Sequence, residues 1–181
     1  MIMKHLFFLI AIVASLSLNA QITKNNWLVG GSAAFSYTRT NPEINGRLFE
    51  MNLSPNIGYF FWDKLAFGLR STYNLTRGKS DLNRSKTERV MLAPFVRYYL
   101  LEADRDINLF VESAYGVQID ILGDRRNPEE FLIKGGLAIF LNSSIAFEIA
   151  LSYINYNSKD QFVGDHTVLL GFGLQIHLEK L

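Results

Sequence analysis

Cysteine is absent from the 181 residues, which excludes disulfides, thiolate metal centres and cysteine nucleophiles. Charge is scarce too. Asp, Glu, Lys and Arg make up 19% of the chain and the formal net charge is +1, so there is neither a basic nucleic-acid footprint nor an acidic disordered tail. No Gly-rich phosphate loop, zinc-ligand spacing or calcium-loop pattern occurs, so no nucleic-acid partner, cofactor, metal or catalytic constellation is expected. Helical periodicity is missing after the first twenty residues. No later apolar run approaches the roughly 20 residues that a membrane-crossing helix needs.

What is present begins with "MIMKHLFFLIAIVASLSLNAQ", where Lys4 precedes a thirteen-residue apolar stretch from Leu6 to Leu18 and then small or polar residues up to Gln21. This order of basic, apolar and small segments is that of a secretory signal peptide. Residues 1–20 are expected to be removed at Ala20–Gln21, leaving 21–181 as one domain. Loss of Lys4 then leaves 17 basic residues against 17 acidic ones.

The mature chain alternates. In "LFEMNLSPNIGYF" (48–60) the series Phe49, Met51, Leu53, Pro55, Ile57, Tyr59 interleaves with Glu50, Asn52, Ser54, Asn56, Gly58, a period of two that marks a strand with unlike faces. Seven further runs share it, over 27–38, 65–76, 89–100, 109–119, 131–141, 145–153 and 168–178. At about 10–13 residues they exceed the usual five or six and suit tilted strands crossing a bilayer, which take about 9–11. Short connections at 61–64, 101–106 and 142–144 alternate with longer polar ones at 39–47, 77–88, 120–130 and 155–166, as periplasmic turns alternate with external loops in a bacterial outer-membrane barrel.

Volume decides which face points inward. Eight strands enclose a space that ordinary side chains just fill, and some forty bulky side chains would not fit there. An exterior of Gly, Ala and Ser would also fall short of the roughly 25–35% charged residues of a soluble surface. The bulky face therefore meets lipid and the small, polar face lines the lumen. The expected fold is all-β: an eight-stranded antiparallel up-and-down transmembrane β-barrel. Aromatic side chains then gather at two interfaces: Trp27, Tyr59, Trp62 and Tyr98 at the periplasmic rim, and Tyr37, Phe49, Tyr73, Phe131 and Tyr153 at the outer one.

Charges on the lumen face must be paired or hydrated. Counted from the periplasmic turns, Arg70, Arg97, Glu112 and Glu148 fall at neighbouring heights, with Glu50, Arg89 and Lys134 nearer the external mouth. An interior salt-bridge network that plugs the barrel is expected, and no large porin-like pore. Pro55 and Pro94 lie inside strands, where a missing donor suggests bulges. They belong to a shared pattern, "LSPNIGYFF" and "LAPFVRYYL", thirty-nine residues apart, readable either as hairpin duplication or as common strand chemistry. The loop "TRGKSDLNRSKTER" (76–89) has a cationic excess suited to lipopolysaccharide phosphates or simply to water. His166, with Asp165 beside it and Asp120 and Ser158 near, is the one position from which hydrolytic chemistry could start, but adjacent strand residues face opposite ways, so the chain is not expected to be an enzyme.

Stretches such as "APFVRYYL" and "GLAIFLNSSIAFEIALSY", with the strand number and loop asymmetry, resemble the small outer-membrane β-barrel domain proteins of Gram-negative bacteria, of the OmpA/OmpX-like eight-stranded type. The resemblance covers the whole mature chain. It implies residence in the cell outer membrane as a monomer, among lipid and lipopolysaccharide, after insertion by the barrel-assembly machinery, with a structural role or a surface role toward an extracellular partner. Many members end in an aromatic residue, whereas this chain ends "HLEKL", leaving Phe172 or Leu178 as its assembly signal. The alternatives are a lipid-A-modifying enzyme of the same membrane and a soluble barrel binding an apolar ligand.

Overall fold

The computed structural model describes residues 22–39, 47–79, 84–119, 129–157 and 165–179. The expected signal peptide and its cleavage site lie outside them, as do Asp120 and Ser158. Eight strands follow in chain order: β1 (Trp27–Arg39), β2 (Arg47–Trp62), β3 (Leu65–Lys79), β4 (Arg84–Tyr99), β5 (Ile107–Ile119), β6 (Glu129–Phe140), β7 (Ile145–Asn157) and β8 (Asp165–Leu178). Each pairs antiparallel with the next, and β8 returns to β1, so the sheet closes. Closure leaves the backbone groups of most strands paired with a neighbour, which a lipid environment requires.

The pleat sends alternate residues in and out. Leu69, Ile57, Val96, Leu137, Leu151, Leu170 and Phe172 stand exposed on the outer face, and Phe147 stacks on Phe172 there, with ring centroids 6.2 Å apart. Ala66, Ala93, Ala114, Ala138, Ala146 and Ala150 are buried inside. The outward apolar belt is thus continuous round the barrel. At one height glycine makes room for a large lumen residue: Gly58 pairs with Gly68, and Gly68 with Phe95. The Phe95 ring covers both glycines, its Cζ lying 2.5 Å from where a Cβ on Gly68 would sit.

Two expectations need correcting. First, neither proline makes a bulge. Pairing of β2 with β3 keeps one register from Leu53↔Tyr73 to Asn56↔Arg70, and pairing of β4 with β5 keeps one from Leu92↔Val117 to Phe95↔Ala114; the ladder merely lapses between. Pro55 still faces Gly31 of β1, and Pro94 faces Leu69 of β3. Each proline turns its donorless nitrogen toward the following strand, and at the first lapse the Ser54 and Thr72 hydroxyls approach to 3.2 Å. The register shift lies instead between Phe60 and Trp62, where the extra residue lets Phe61 and Trp62 both point outward while Phe60 stays buried.

Second, most of the expected connection over 77–88 is strand. The β3–β4 ladder runs unbroken to Lys79↔Arg84, because backbone pairing continues where polar side chains on both faces hide the alternation.

The barrel end bearing the connections 63–64, 100–106 and 141–144 is called here the turn end, the opposite one the loop end. Residues 22–26 fold across the turn end: Lys64 N–H donates to the Ile22 carbonyl at 2.8 Å, Asn25 N–H to Phe60 at 2.8 Å, and Phe60 N–H to Asn26 at 2.9 Å. Lys64, with φ 68°, occupies the left-handed region that the tight turn demands. Ile22 is thereby fully buried, as a lid under the lumen.

Gly68→Ala is expected to lower unfolding free energy by about 1–3 kcal/mol through overpacking, and Gly171→Ala to change it by less than about 0.5 kcal/mol. At Gly171 an added Cβ would meet nothing closer than 3.7 Å. Urea titration of folded protein in lipid vesicles checks both.

Candidate functional site in the barrel lumen

The lumen is filled in layers. Lowest lies an aromatic layer of Phe60, Tyr99, Phe110, Phe140 and His177, with neighbouring centroids 5.2–6.0 Å apart, sealed beneath by Ile22 and Leu28. His177 Nε2 is 3.3 Å from the Tyr99 hydroxyl, while its Nδ1 is buried without a hydrogen-bond partner in an otherwise apolar floor.

Above it sits the charge layer. Arg97 is central: Nε donates to Glu112 Oε2 at 2.8 Å, Nη1 to Glu148 Oε1 at 2.5 Å, and Nη1 also to the Tyr99 hydroxyl at 3.2 Å. Its guanidinium lies 4.4 Å from the Phe110 centroid, which ties the charge layer to the aromatic floor. Arg70 Nη2 donates to the other oxygen of Glu112. Lys134 Nζ lies 4.0 Å from Glu148 Oε2, and Gln175 Nε2 lies 3.4 Å from the same oxygen. Every member is buried. Arg97 thereby meets the condition for holding an ion in a low-dielectric space, opposite charge with directional hydrogen bonds, whereas Lys134 Nζ is held by charge alone and makes no hydrogen bond.

The structure therefore brings Arg70, Arg97, Glu112, Glu148 and Lys134 together and leaves Glu50 apart. Lys134 does not lie nearer the mouth: register sets Arg97, Glu112 and Lys134 side by side across β4, β5 and β6. Counting up from each turn misplaces it, because a closed barrel staggers each strand against the last. Glu50 stands higher, accepting a hydrogen bond from Ser36 Oγ at 2.9 Å. Glu130, buried beside Arg70 and Lys134 around a cavity of about 30 Å³, falls in an expected loop. Its parity with Leu132 and Lys134 is the sequence signal that places it in the lumen.

Above these layers opens a vestibule of about 440 Å³, lined by Ser36, Glu50, Asn52, Asn74, Thr76, Thr87 and Arg89 among others. The lumen is thus polar and hollow toward the loop end, ionic at mid-height and apolar at the turn end.

On the outer surface Trp27, Tyr59, Trp62 and Tyr98 ring the turn end, where Trp27 and Tyr59 meet edge to face at 5.1 Å. Phe61 and Phe67 join them at 5.6 Å. Tyr37, Phe49, Tyr73, Phe131 and Tyr153 lie outward toward the loop end. His166 stacks on Tyr153 at 5.8 Å, with the Tyr153 hydroxyl 2.8 Å and Asn155 Nδ2 3.0 Å from its Nδ1. It belongs to this outer belt and faces away from the lumen. Among the described residues no three His, Asp or Glu are grouped to hold a metal. At the turn end Lys64 Nζ and Glu102 Oε1 pair at 2.8 Å, and that hydrogen bond holds the Lys64 ammonium above its ordinary pKa.

Removing one carboxylate should expose the cost of the charge layer. Glu112→Ala leaves Arg70 and Arg97 under-compensated and is expected to cost about 3–5 kcal/mol, whereas Glu50→Gln in the hydrated vestibule should cost under about 1 kcal/mol. Equilibrium unfolding in vesicles measures the difference.

No family model matches the sequence, and no curated protein matches it. Among solved structures, the N-terminal β-barrel domain of Pseudomonas aeruginosa OprF is similar with a TM-score of 0.54 at 14% identity, over 86% of this chain and 98% of that one. The outer membrane protein OprG of the same bacterium is similar with a TM-score of 0.51 at 14% identity, over 90% of this chain and 100% of its own. At such identity the likeness is one of fold: this chain has the closed eight-stranded barrel architecture of outer-membrane proteins, the one its resemblance to OmpA/OmpX-like barrels implied.

Proposed function

We propose that the chain is an integral outer-membrane protein, with its turn end in the periplasm and its loop end outside, whose role is structural or surface-interactive rather than that of an open channel or an enzyme. The observation that carries this reading is the plug: Arg97 clamped between Glu112 and Glu148 over a sealed aromatic floor. A large pore would need that stack dismantled. In this reading the barrel-assembly machinery inserts the chain, and lipid and lipopolysaccharide surround it as a monomer.

Register supports a lipopolysaccharide contact. Arg47 stands opposite Lys79, and Arg77 opposite Lys86. Like charges placed directly across a ladder repel. Such a row just beyond the outer aromatic belt is stable when anions cover it, and phosphates on the outer leaflet are anions at that height. Glu88 offsets part of the row through its 3.0 Å pair with Lys86.

Two measurements test these statements. Purified protein in planar bilayers is expected to give no large steady conductance, and sustained porin-sized currents would overturn the plugged reading. Lipopolysaccharide in the vesicles should raise unfolding free energy over phosphatidylcholine alone by roughly 1–2 kcal/mol, the scale of several exposed ion pairs. High salt, or Arg47→Gln with Lys79→Gln, should remove that gain.

A further inference from the structure

The seam between β1 and β8 is incomplete. Its ladder runs from Trp27↔Leu178 to Ala33↔Phe172 and stops, although β1 continues to Arg39 and β8 begins at Asp165. The β1–β2 ladder, by contrast, continues to Arg39↔Arg47, and the β7–β8 ladder to Tyr156↔Asp165. The lapse starts about midway up the wall, still within the apolar belt, since Phe35 and Leu170 above it are exposed outward.

Cavities lie on both faces of the wall beside this lapse. The vestibule is lined by residues of both seam strands, Ala34, Phe35 and Ser36 of β1 and His166, Thr167 and Leu169 of β8, so it borders the lapse from within. On the outer surface immediately below, a groove of about 430 Å³ runs over Gly31 and Ala33, walled by Leu53, Pro55, Phe172 and Leu174. Elsewhere the lipid face is bulky. Gly171, beside the lapse, has room for a side chain, unlike Gly68 and Gly136, whose Cβ would press into the neighbouring strand. Ala34 and Leu169 make an apolar lip at the seam, Glu50 and Asn52 stand on the adjoining strand β2, and Asn74 and Arg89 continue the polar lining over β3 and β4.

We propose that this seam is a lateral binding site for one amphiphile with a zwitterionic, hydrogen-bonding head and a hydrocarbon chain. The head lies in the vestibule, its cation toward Glu50 and its anion toward Arg89. The chain leaves between Ala34 and Leu169 and descends in the groove over Ala33 and Gly31. A chain pointing from the loop end toward mid-membrane has the direction of an acyl chain in the outer leaflet. Each cavity is of ligand size, and water in the vestibule or the head itself meets the seam's backbone groups, which hydrocarbon alone would not. The inference rests on the membrane orientation given above.

The test uses the full-length folded protein in unbrominated phosphatidylcholine vesicles, with Trp27→Phe and Trp62→Phe as background and a single tryptophan restored at Ser36, Thr76 or Phe147. Brominated lysophosphatidylcholine at low mole fraction is the probe. Ser36→Trp is expected to be quenched saturably and severalfold more than Thr76→Trp, which lines the same vestibule away from the seam. Ala33→Leu, filling the groove, and Gly171→Leu, filling the lip, should each bring Ser36→Trp down to the Thr76→Trp level. Heat-modifiable gel migration verifies that each variant is folded. Equal weak quenching at Ser36 and Thr76, or quenching insensitive to both fillings, would overturn the site. In fully brominated phosphatidylcholine, Phe147→Trp must be strongly quenched; if it is not, the membrane reading has failed rather than the seam alone.

Discussion

The narrowness of an eight-stranded cylinder is the constraint on which everything else depends. A closed sheet of this size holds one thin column of side chains, and each strand carries a bulky series and a small or polar one in strict alternation. Only one assignment of faces fits: bulk outside, Gly, Ala, Ser and paired charges inside. A membrane environment follows from that, because the belt containing Leu69, Val96, Leu137 and Leu170 is stable only against hydrocarbon.

Within the column, size and charge are traded along the axis. Phe95 has room because Gly58 and Gly68 face it in one row. Arg97 is buried because Glu112 and Glu148 flank it and Phe110 lies beneath it. Buried ions of this kind contribute little net stability, since desolvation cancels most of their attraction, but removing a partner is costly. The charge layer is therefore better understood as a lock on lumen packing and register than as a source of stability. It also separates a sealed apolar floor from a hydrated vestibule, so the two ends of the barrel differ in kind: one is a lid, the other a cup.

Against this regular frame, two kinds of lapse in the ladder stand out. Those at Pro55 and Pro94 keep register and are flanked by pairing on the other side, so they relieve a missing donor without opening the wall. The β1–β8 lapse differs, because it persists to the loop end and the vestibule borders it. The two strands of the closing seam are the ones with no hairpin turn joining them. The seam is thus where the wall can be left open without disturbing neighbouring registers.

The alternation of 48–60 and its seven companions determined the strands, their inward and outward faces and the two aromatic belts, because period two is a local property written residue by residue. Glu112 and Glu148 were legible as lumen charges for the same reason. The height of Lys134, the bulge at Phe61, the strand character of 77–79 and 84–88, and the short β1–β8 ladder were not. Each depends on the stagger between strands or on backbone pairing that hydropathy does not encode, and stagger exists only once the sheet has closed.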